Sequence, residues 1–261
     1  MRYLDTGRPR VFAHRGACGR RPENTMESFR EGLDAGAELL ELDVHASRDG
    51  GIVVFHDATL ERTTDGKGRI QDLTLAELAA LDAGHGFEDE HGGHPFRGSG
   101  IRVPTLEQVL REFPDTPLNI EVKQASPPIE AAVMDVVDRH SARERVLMAA
   151  AEHAIMTRLR AVCDGTLTSS SADDVLAFVE HGRDDDYRHP GDALQVPPWF
   201  GDIELVTSEF VEIAHARGVE VHVWTINEEA EIHRLLDLGV DGVMSDFPER
   251  LVSVVRERAN G

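Results

Sequence analysis

Apolar residues along this chain fall into two kinds of stretch. Short dense runs lie at 10–14, 38–44, 118–123, 145–149, 166–169, 193–196, 219–225 and 240–245, the lengths and compositions of buried strands. Between them are longer stretches in which apolar residues recur three or four apart, the period of a helix with one buried face. These predict helices at 25–35, 105–113, 128–140, 152–162, 172–180, 208–217, 228–238 and 248–258. Asn24 with Glu27, and Thr105 with Gln108, resemble capping boxes at helix starts. Gly36, Gly218 and Gly239 each stand between a helix and the next strand, where a positive φ ends the helix. Eight strands with eight trailing helices predict a (β/α)8 TIM barrel, a single domain over residues 8–258. A doubly wound sheet is the structural alternative.

Residues 57–104 break the repeat. They hold one helix, 74–81, opened by a Thr74/Glu77 capping box, and then a Gly- and His-rich loop over 84–100. The segment reads as a small insertion after the second barrel strand, lying over the barrel mouth. His85, His91 and His94 read as part of an exposed loop in preference to a metal site.

The stretch from Glu41 to Asp57 holds most of the candidate chemistry. It reads as two strands folded about Asp49-Gly50, a fold that sets Asp43 opposite His56. Glu41 and Asp43, two apart on a strand, share a face. Other polar residues stand at predicted strand ends, where barrels carry their chemistry: His14 and Arg15, Glu121 and Lys123, Trp224, and Asp246. Glu41, Asp43 and Glu121 form an all-oxygen set of the kind that suits Mg2+ or Ca2+. His14 and His56 are candidates for the acid and base of a displacement. Arg15 matches phosphate oxygens with a forked donor, and Lys123 is a second fixed cation. Trp224 is either a pocket wall or ordinary packing.

Charge narrows the choice of partners. Lys plus Arg number 27 and Asp plus Glu 48, a net charge of −21 over 261 residues. Nucleic acid and anionic membrane are poor partners for such a chain. An anionic substrate needs local positive charge at its site. Cys18 and Cys163 are distant in sequence and lack metal-ligand spacing, which fits a reducing compartment or simple thiol packing. There is no apolar run of membrane-spanning length, and the opening residues 1–10 lack a signal-peptide core, so a cytoplasmic protein is expected.

An ordered series of motifs runs from about residue 11 to 248. It comprises His14-Arg-Gly16, Pro22-Glu-Asn-Thr25, Glu41-Leu-Asp43, Asp49-Gly50, His56-Asp57, Leu60-Glu-Arg-Thr-Thr64, Gly68, Asn119-Ile-Glu-Val-Lys123, Val223-Trp-Thr-Ile-Asn227 and Gly242-Val-Met-Ser-Asp-Phe-Pro248. Together these resemble the glycerophosphodiester phosphodiesterase family. The resemblance implies a (β/α)8 barrel with an inserted segment after the second strand. It implies hydrolysis of a small-molecule glycerophosphodiester to glycerol 3-phosphate and an alcohol, with one divalent cation, Ca2+ or Mg2+. By position it makes His14 and His56 the acid–base pair, Glu41, Asp43 and Glu121 the metal ligands, and Arg15 and Lys123 the phosphoryl-binding cations. Two peripheral positions depart from the commoner family forms: Ala149-Ala-Ala where Ser-Phe is frequent, and Ser245 where Thr is frequent. The first bears on the pocket wall and the alcohol specificity. The competing readings are a related barrel phosphodiesterase or phospholipase acting on another phosphodiester, and a non-catalytic barrel that captures a phosphorylated metabolite.

Overall fold

The computed structural model describes residues 2–260. Its strands are β1 (Arg10–Ala13), β2 (Leu39–Ala46), β3 (Ile52–Val54), β4 (Leu118–Val122), β5 (Val146–Ala149), β6 (Leu167–Thr168), β7 (Ala193–Val196), β8 (Trp199–Phe200), β9 (Ile203–Glu204), β10 (Glu220–Val223) and β11 (Gly242–Ser245). The α-helices are α1 (Met26–Asp34), α2 (Leu75–Ala79), α3 (Leu106–Glu112), α4 (Glu130–Arg139), α5 (His153–Val162), α6 (Ala172–His181), α7 (Ser208–Ala216), α8 (Glu229–Asp237) and α9 (Pro248–Asn260).

Eight of these strands pair in parallel, in the order β6-β5-β4-β2-β1-β11-β10-β7. A single parallel bridge from Ser169 to Ala193 joins the two ends. The result is a nearly closed barrel of eight parallel strands with helices between, as the strand–helix repeat predicts, and the doubly wound alternative is set aside.

Alternation along each strand sorts the side chains. Val11, Leu40, Leu42, Val44, Ile120, Val122, Val221 and Val243 belong to the large apolar cluster shared with the helices. The residues between them face the barrel interior, where Tyr3, Phe12, Leu39, Leu147, Ala149, Ala193 and Met244 form a second, smaller cluster. Polar inward positions remain at both ends. Arg10 and Glu220 begin β1 and β10 and pair through two bonds of 2.8 Å. Glu41, Asp43 and Glu121 sit further along β2 and β4, toward the strand C-termini.

The insertion has its own core: Leu60, Ile70, Leu78, Ile101 and Val103 cluster with Val53 and Phe55, apart from the barrel cluster. The capping boxes at Thr74/Glu77 and Thr105/Gln108 form as read. The one expected before α1 does not. Thr25 is the N-cap, its hydroxyl accepting from the Ser28 N–H, while Asn24 lies at φ +56° with its amide on Asp43. A residue that reads as a helix cap is a site residue.

Candidate active site at the C-terminal end of the barrel

Neighbouring parallel strands set the site. In the β2–β4 register, Asp43 stands beside Glu121, and Glu41 beside Asn119. With Glu41 two residues before Asp43 on the same face, three carboxylates converge. One oxygen from each of Glu41, Asp43 and Glu121 lies within 4.8 Å of the others. Glu41 and Asp43 are buried.

The charge balance inside this cluster is uneven. Lys123 Nζ lies 3.2 Å from Asp43 Oδ1 and 2.8 Å from Glu121 Oε1, and Arg15 Nε lies 3.3 Å from Asp43 Oδ2. Burial raises the Asp43 pKa, but Lys123 and Arg15 outweigh it and hold the carboxyl below its usual range. Glu41 has no such cation pair; it accepts the Arg15 backbone N–H at 2.9 Å. Burial, with the neighbouring Asp43 charge, pushes Glu41 up to about 7. A buried carboxylate short of positive charge, beside two others offering only oxygen, is a donor set that fits a hard divalent cation.

His14 follows β1. Its Nδ1 donates to Asp246 Oδ1 at 2.6 Å, and its Nε2 lies 3.9 Å from Glu41 Oε2. Burial alone would lower the His14 pKa, but Asp246 and Glu41 raise it. His14 and Asp246 meet because β1 and β11 are neighbours in a closed barrel, with Ala13 opposite Ser245. The next residues of the two strands are therefore adjacent. Asp246 is readable in sequence as a strand-end polar residue; its pairing with His14 follows only from closure.

The hairpin register differs from the sequence expectation by one residue. Asp43 opposes Phe55, not His56: the Phe55 N–H donates to the Asp43 carbonyl at 2.9 Å, and Val44 pairs with Val54. The loop spans Arg48, Asp49 and Gly50 between Ser47 and Gly51, with Gly50 at φ +84°. A three-residue loop and a two-residue loop draw on the same Asp-Gly signal, and only pairing distinguishes them. His56 still reaches the site, since β3 has ended and its side chain no longer obeys strand alternation. Its charge acts on Asp43. His56 Nδ1 donates to Asp57 Oδ1 at 2.6 Å, and its carbonyl accepts from His45 Nε2 at 3.0 Å.

Arg62, from the insertion, ties the wall together. It bonds Asp57 at 2.6 Å and Glu23 at 2.6 Å, and Glu23 in turn accepts from Arg15 Nη1 at 3.1 Å. Glu23 and Arg62 lie inside the Pro22-Glu-Asn-Thr25 and Leu60-Glu-Arg-Thr-Thr64 motifs, but neither is singled out there as a site residue, because each belongs to a loop without periodicity. A cleft of about 730 Å³ runs beside this wall between the insertion (Arg62, Phe87, Phe96) and the loops after β1 and β11 (Arg20, Pro22, Phe247). The three carboxylates are not among its lining residues; Glu23 and Arg62 stand between.

Trp224 stands at the end of β10, 41% exposed. The insertion histidines form a loop: His91 and His94 are exposed, and His94 Nδ1 donates to the Phe87 carbonyl at 2.7 Å. Among the described residues they are part of no cluster able to hold a metal.

Residues 14–250 match the Glycerophosphoryl diester phosphodiesterase family. The chain belongs to this family. A glycerophosphodiester phosphodiesterase of Bacillus altitudinis is 34% identical over 259 residues, 95% of this chain and 98% of that protein. One from Caldanaerobacter subterraneus is 31% identical over 263 residues, 95% of this chain and 98% of that protein. The fold is also that of an Oleispira antarctica phosphodiesterase solved in complex with the product sn-glycerol-3-phosphate. The TM-score is 0.79 at 29% identity, covering 95% of this chain and 97% of that one. No helix among the described residues is long and apolar enough to cross a membrane. Glycerophosphoryl diester phosphodiesterase membership accounts for a barrel whose polar strand ends gather at one mouth.

Proposed function

We propose that this chain hydrolyses glycerophosphodiesters to glycerol 3-phosphate and an alcohol, with His14 and His56 as the acid–base pair. Glu41, Asp43 and Glu121 would hold one divalent cation, Ca2+ or Mg2+. When bound, that ion supplies Lewis-acid stabilisation of negative charge on phosphoryl oxygens. The observation that carries the reading is the convergence of three carboxylates beside His14 at the strand C-termini, in a chain of this family.

The chain's own residues have separable tasks. Asp246 keeps a proton on His14 Nδ1, so that Nε2, facing Glu41, is the nitrogen that exchanges protons with substrate. Asp57 does the same for His56, leaving its Nε2 for the second proton transfer. Both carboxylates are held at about 2 despite partial burial, Asp246 by His14 and Asp57 by Arg62 and then His56. They therefore stay ionised as the imidazoles charge. Arg15, backed by Glu23 and Asp43, and Lys123, backed by Asp43 and Glu121, present the positive charge that a phosphodiester needs in a chain of net −21. The nucleophile is water or the substrate's own glycerol 2-hydroxyl. Trp224, exposed at the end of β10, would serve as a substrate-binding wall of the pocket. Residues 8–258 act as one catalytic unit. Cys18 and Cys163 are free, which fits a cytoplasmic location.

The deciding experiment is release of glycerol 3-phosphate from glycerophosphocholine, glycerophosphoethanolamine and glycerophosphoglycerol, with and without chelator, alongside His56→Ala. Release abolished by both is the expected result. No release from any of them, by folded protein with added Ca2+ or Mg2+, overturns the reading.

One observation favours a second substrate class, glycerophosphodiesters bearing an acyl chain. The ribbon of β8 and β9, which follows β7, exposes Trp199 by 48%, Phe200 by 70% and Ile203 by 68%. An apolar rim of this kind suits a lipid-bearing substrate. Equal turnover of lysophosphatidylcholine and glycerophosphocholine supports it; no turnover of the lysolipid dismisses it.

A further inference from the structure

His14 faces two clusters of potential ligands at once. On its Nε2 side are the three carboxylates. On its Nδ1 side are Cys18 and Asp246: Nδ1 is 2.6 Å from Asp246 Oδ1 and 3.9 Å from Cys18 Sγ, and Sγ is 2.8 Å from the same Oδ1. One nitrogen, one sulfur and one oxygen thus lie within 4.8 Å of one another. We propose that His14, Cys18 and Asp246 form a second metal site, selective for Zn2+, whose occupancy stops turnover by taking His14 out of proton transfer.

The donor set differs in kind from the first cluster. Three carboxylates suit a hard cation, whereas imidazole, thiolate and carboxylate together suit zinc. The geometry is close to what zinc requires. Bond lengths of about 2.0–2.3 Å at tetrahedral angles put ligand atoms roughly 3.3–3.6 Å apart. The nitrogen–sulfur separation is already near this, and Asp246 Oδ1 has to withdraw by less than about 1 Å. Three protein ligands leave a fourth position for water.

The cluster is held in place and reachable. The Gly19 N–H donates to the Asp246 carbonyl at 3.0 Å, and Gly19 packs so tightly on the Phe247 ring that a Cβ there would lie 2.5 Å from it. The Cys18 loop is therefore pinned to the end of β11. All three side chains are partly exposed, and Cys18 and Phe247 line the 730 Å³ cleft, which gives an ion a path in.

The consequence for His14 is a matter of protons. Zinc takes the Nδ1 lone pair and the Cys18 thiolate: the thiol proton leaves to solvent, and the neutral imidazole's single proton moves by way of solvent from Nδ1 to Nε2. A neutral imidazole bound through Nδ1 has its one remaining proton fixed on Nε2. That nitrogen can then donate but no longer accept, so a cycle that needs both is blocked. Zn2+ should therefore inhibit without displacing the cation at Glu41, Asp43 and Glu121. The inhibitory half of the proposal rests on the acid–base role given to His14; the binding half does not.

Two readouts keep these halves apart. In the first, the full-length protein is saturated with Mg2+ and titrated with Zn2+. Turnover should be lost, and Cys18→Ala should need about 10–100-fold more Zn2+ for the same loss. In the second, Co2+ is added in place of Zn2+ and the near-ultraviolet spectrum is recorded. The wild-type protein should show a thiolate-to-cobalt charge-transfer band that is missing in both Cys18→Ala and Cys18→Ser. A wild-type protein without the band, or equal Zn2+ sensitivity in wild type and Cys18→Ala, overturns the second site. A band without inhibition keeps the site and overturns the role of His14.

Discussion

His14 and Asp246 are joined by a 2.6 Å hydrogen bond across the seam between the first and last barrel strands. Asp246 is itself fixed by Asn227, whose Nδ2 donates to Asp246 Oδ2 at 2.7 Å while its Oδ1 accepts the Asp246 N–H at 3.0 Å. Residues more than 200 apart in sequence thus set one imidazole's orientation and tautomer. The arrangement has the logic of a base oriented by an ionised carboxylate.

Asp246→Asn should therefore lower kcat by about 10²–10⁴-fold while KM stays within a few-fold. A purely structural role for Asp246 would leave the pH profile of kcat unmoved. The expected result is a shift of its His14 limb, read from steady-state kinetics between pH 5 and 9.

His14→Ala and His56→Ala should each lose about 10²–10⁴-fold in turnover, the usual cost of removing a general acid or base. Neither change deletes a fully buried apolar side chain, so thermal unfolding should stay close to wild type. Near-wild-type turnover in either variant would remove that histidine from the acid–base pair.

Glu41 links metal binding to stability. Its carboxyl is raised from 4.5 to about 7, first by burial and then by Asp43. An acid raised in the folded state binds its proton more tightly folded than unfolded, so folding is penalised as that proton is lost. The metal-free protein should lose stability as pH rises from about 4.5 through about 7. Ca2+ or Mg2+ should cancel the loss by supplying the missing positive charge. Glu41→Gln should flatten the metal-free profile and weaken the dependence of activity on added cation. Thermal melts in chelator and in excess cation at pH 5.5, 7 and 8 test this. A metal-free melting temperature that is flat with pH contradicts it.

The opposite end of the barrel predicts stability without activity. Arg10, 1% exposed, pairs with Glu220, which also accepts from His222 Nε2 at 2.9 Å. Glu220→Gln leaves a buried guanidinium without its counter-charge and should cost about 3–5 kcal/mol in denaturant unfolding. At temperatures where the variant is folded, kcat should be unchanged, because this pair lies at the strand N-termini. A loss below about 1 kcal/mol would mean that solvent reaches Arg10.

Periodicity and punctuation were enough to read the barrel. The eight runs, the Thr74/Glu77 and Thr105/Gln108 caps and the glycines after the helices are local signals, and local physics decides them. The shared face of Glu41 and Asp43 is likewise a property of any strand. The motif order carried the family, since each motif is a short contiguous string. Four things were decided only by tertiary structure. Barrel closure set β11 beside β1 and so made Asp246 the partner of His14, a contact that no local pattern encodes. Strand pairing chose a three-residue loop and set Asp43 opposite Phe55, because Asp49-Gly50 is compatible with either register. The insertion's separate core placed Arg62 between Asp57 and Glu23, and Asn24 turned away from the helix end to bond Asp43. Those side chains sit in irregular backbone, where position is set by what they touch rather than by any period along the chain.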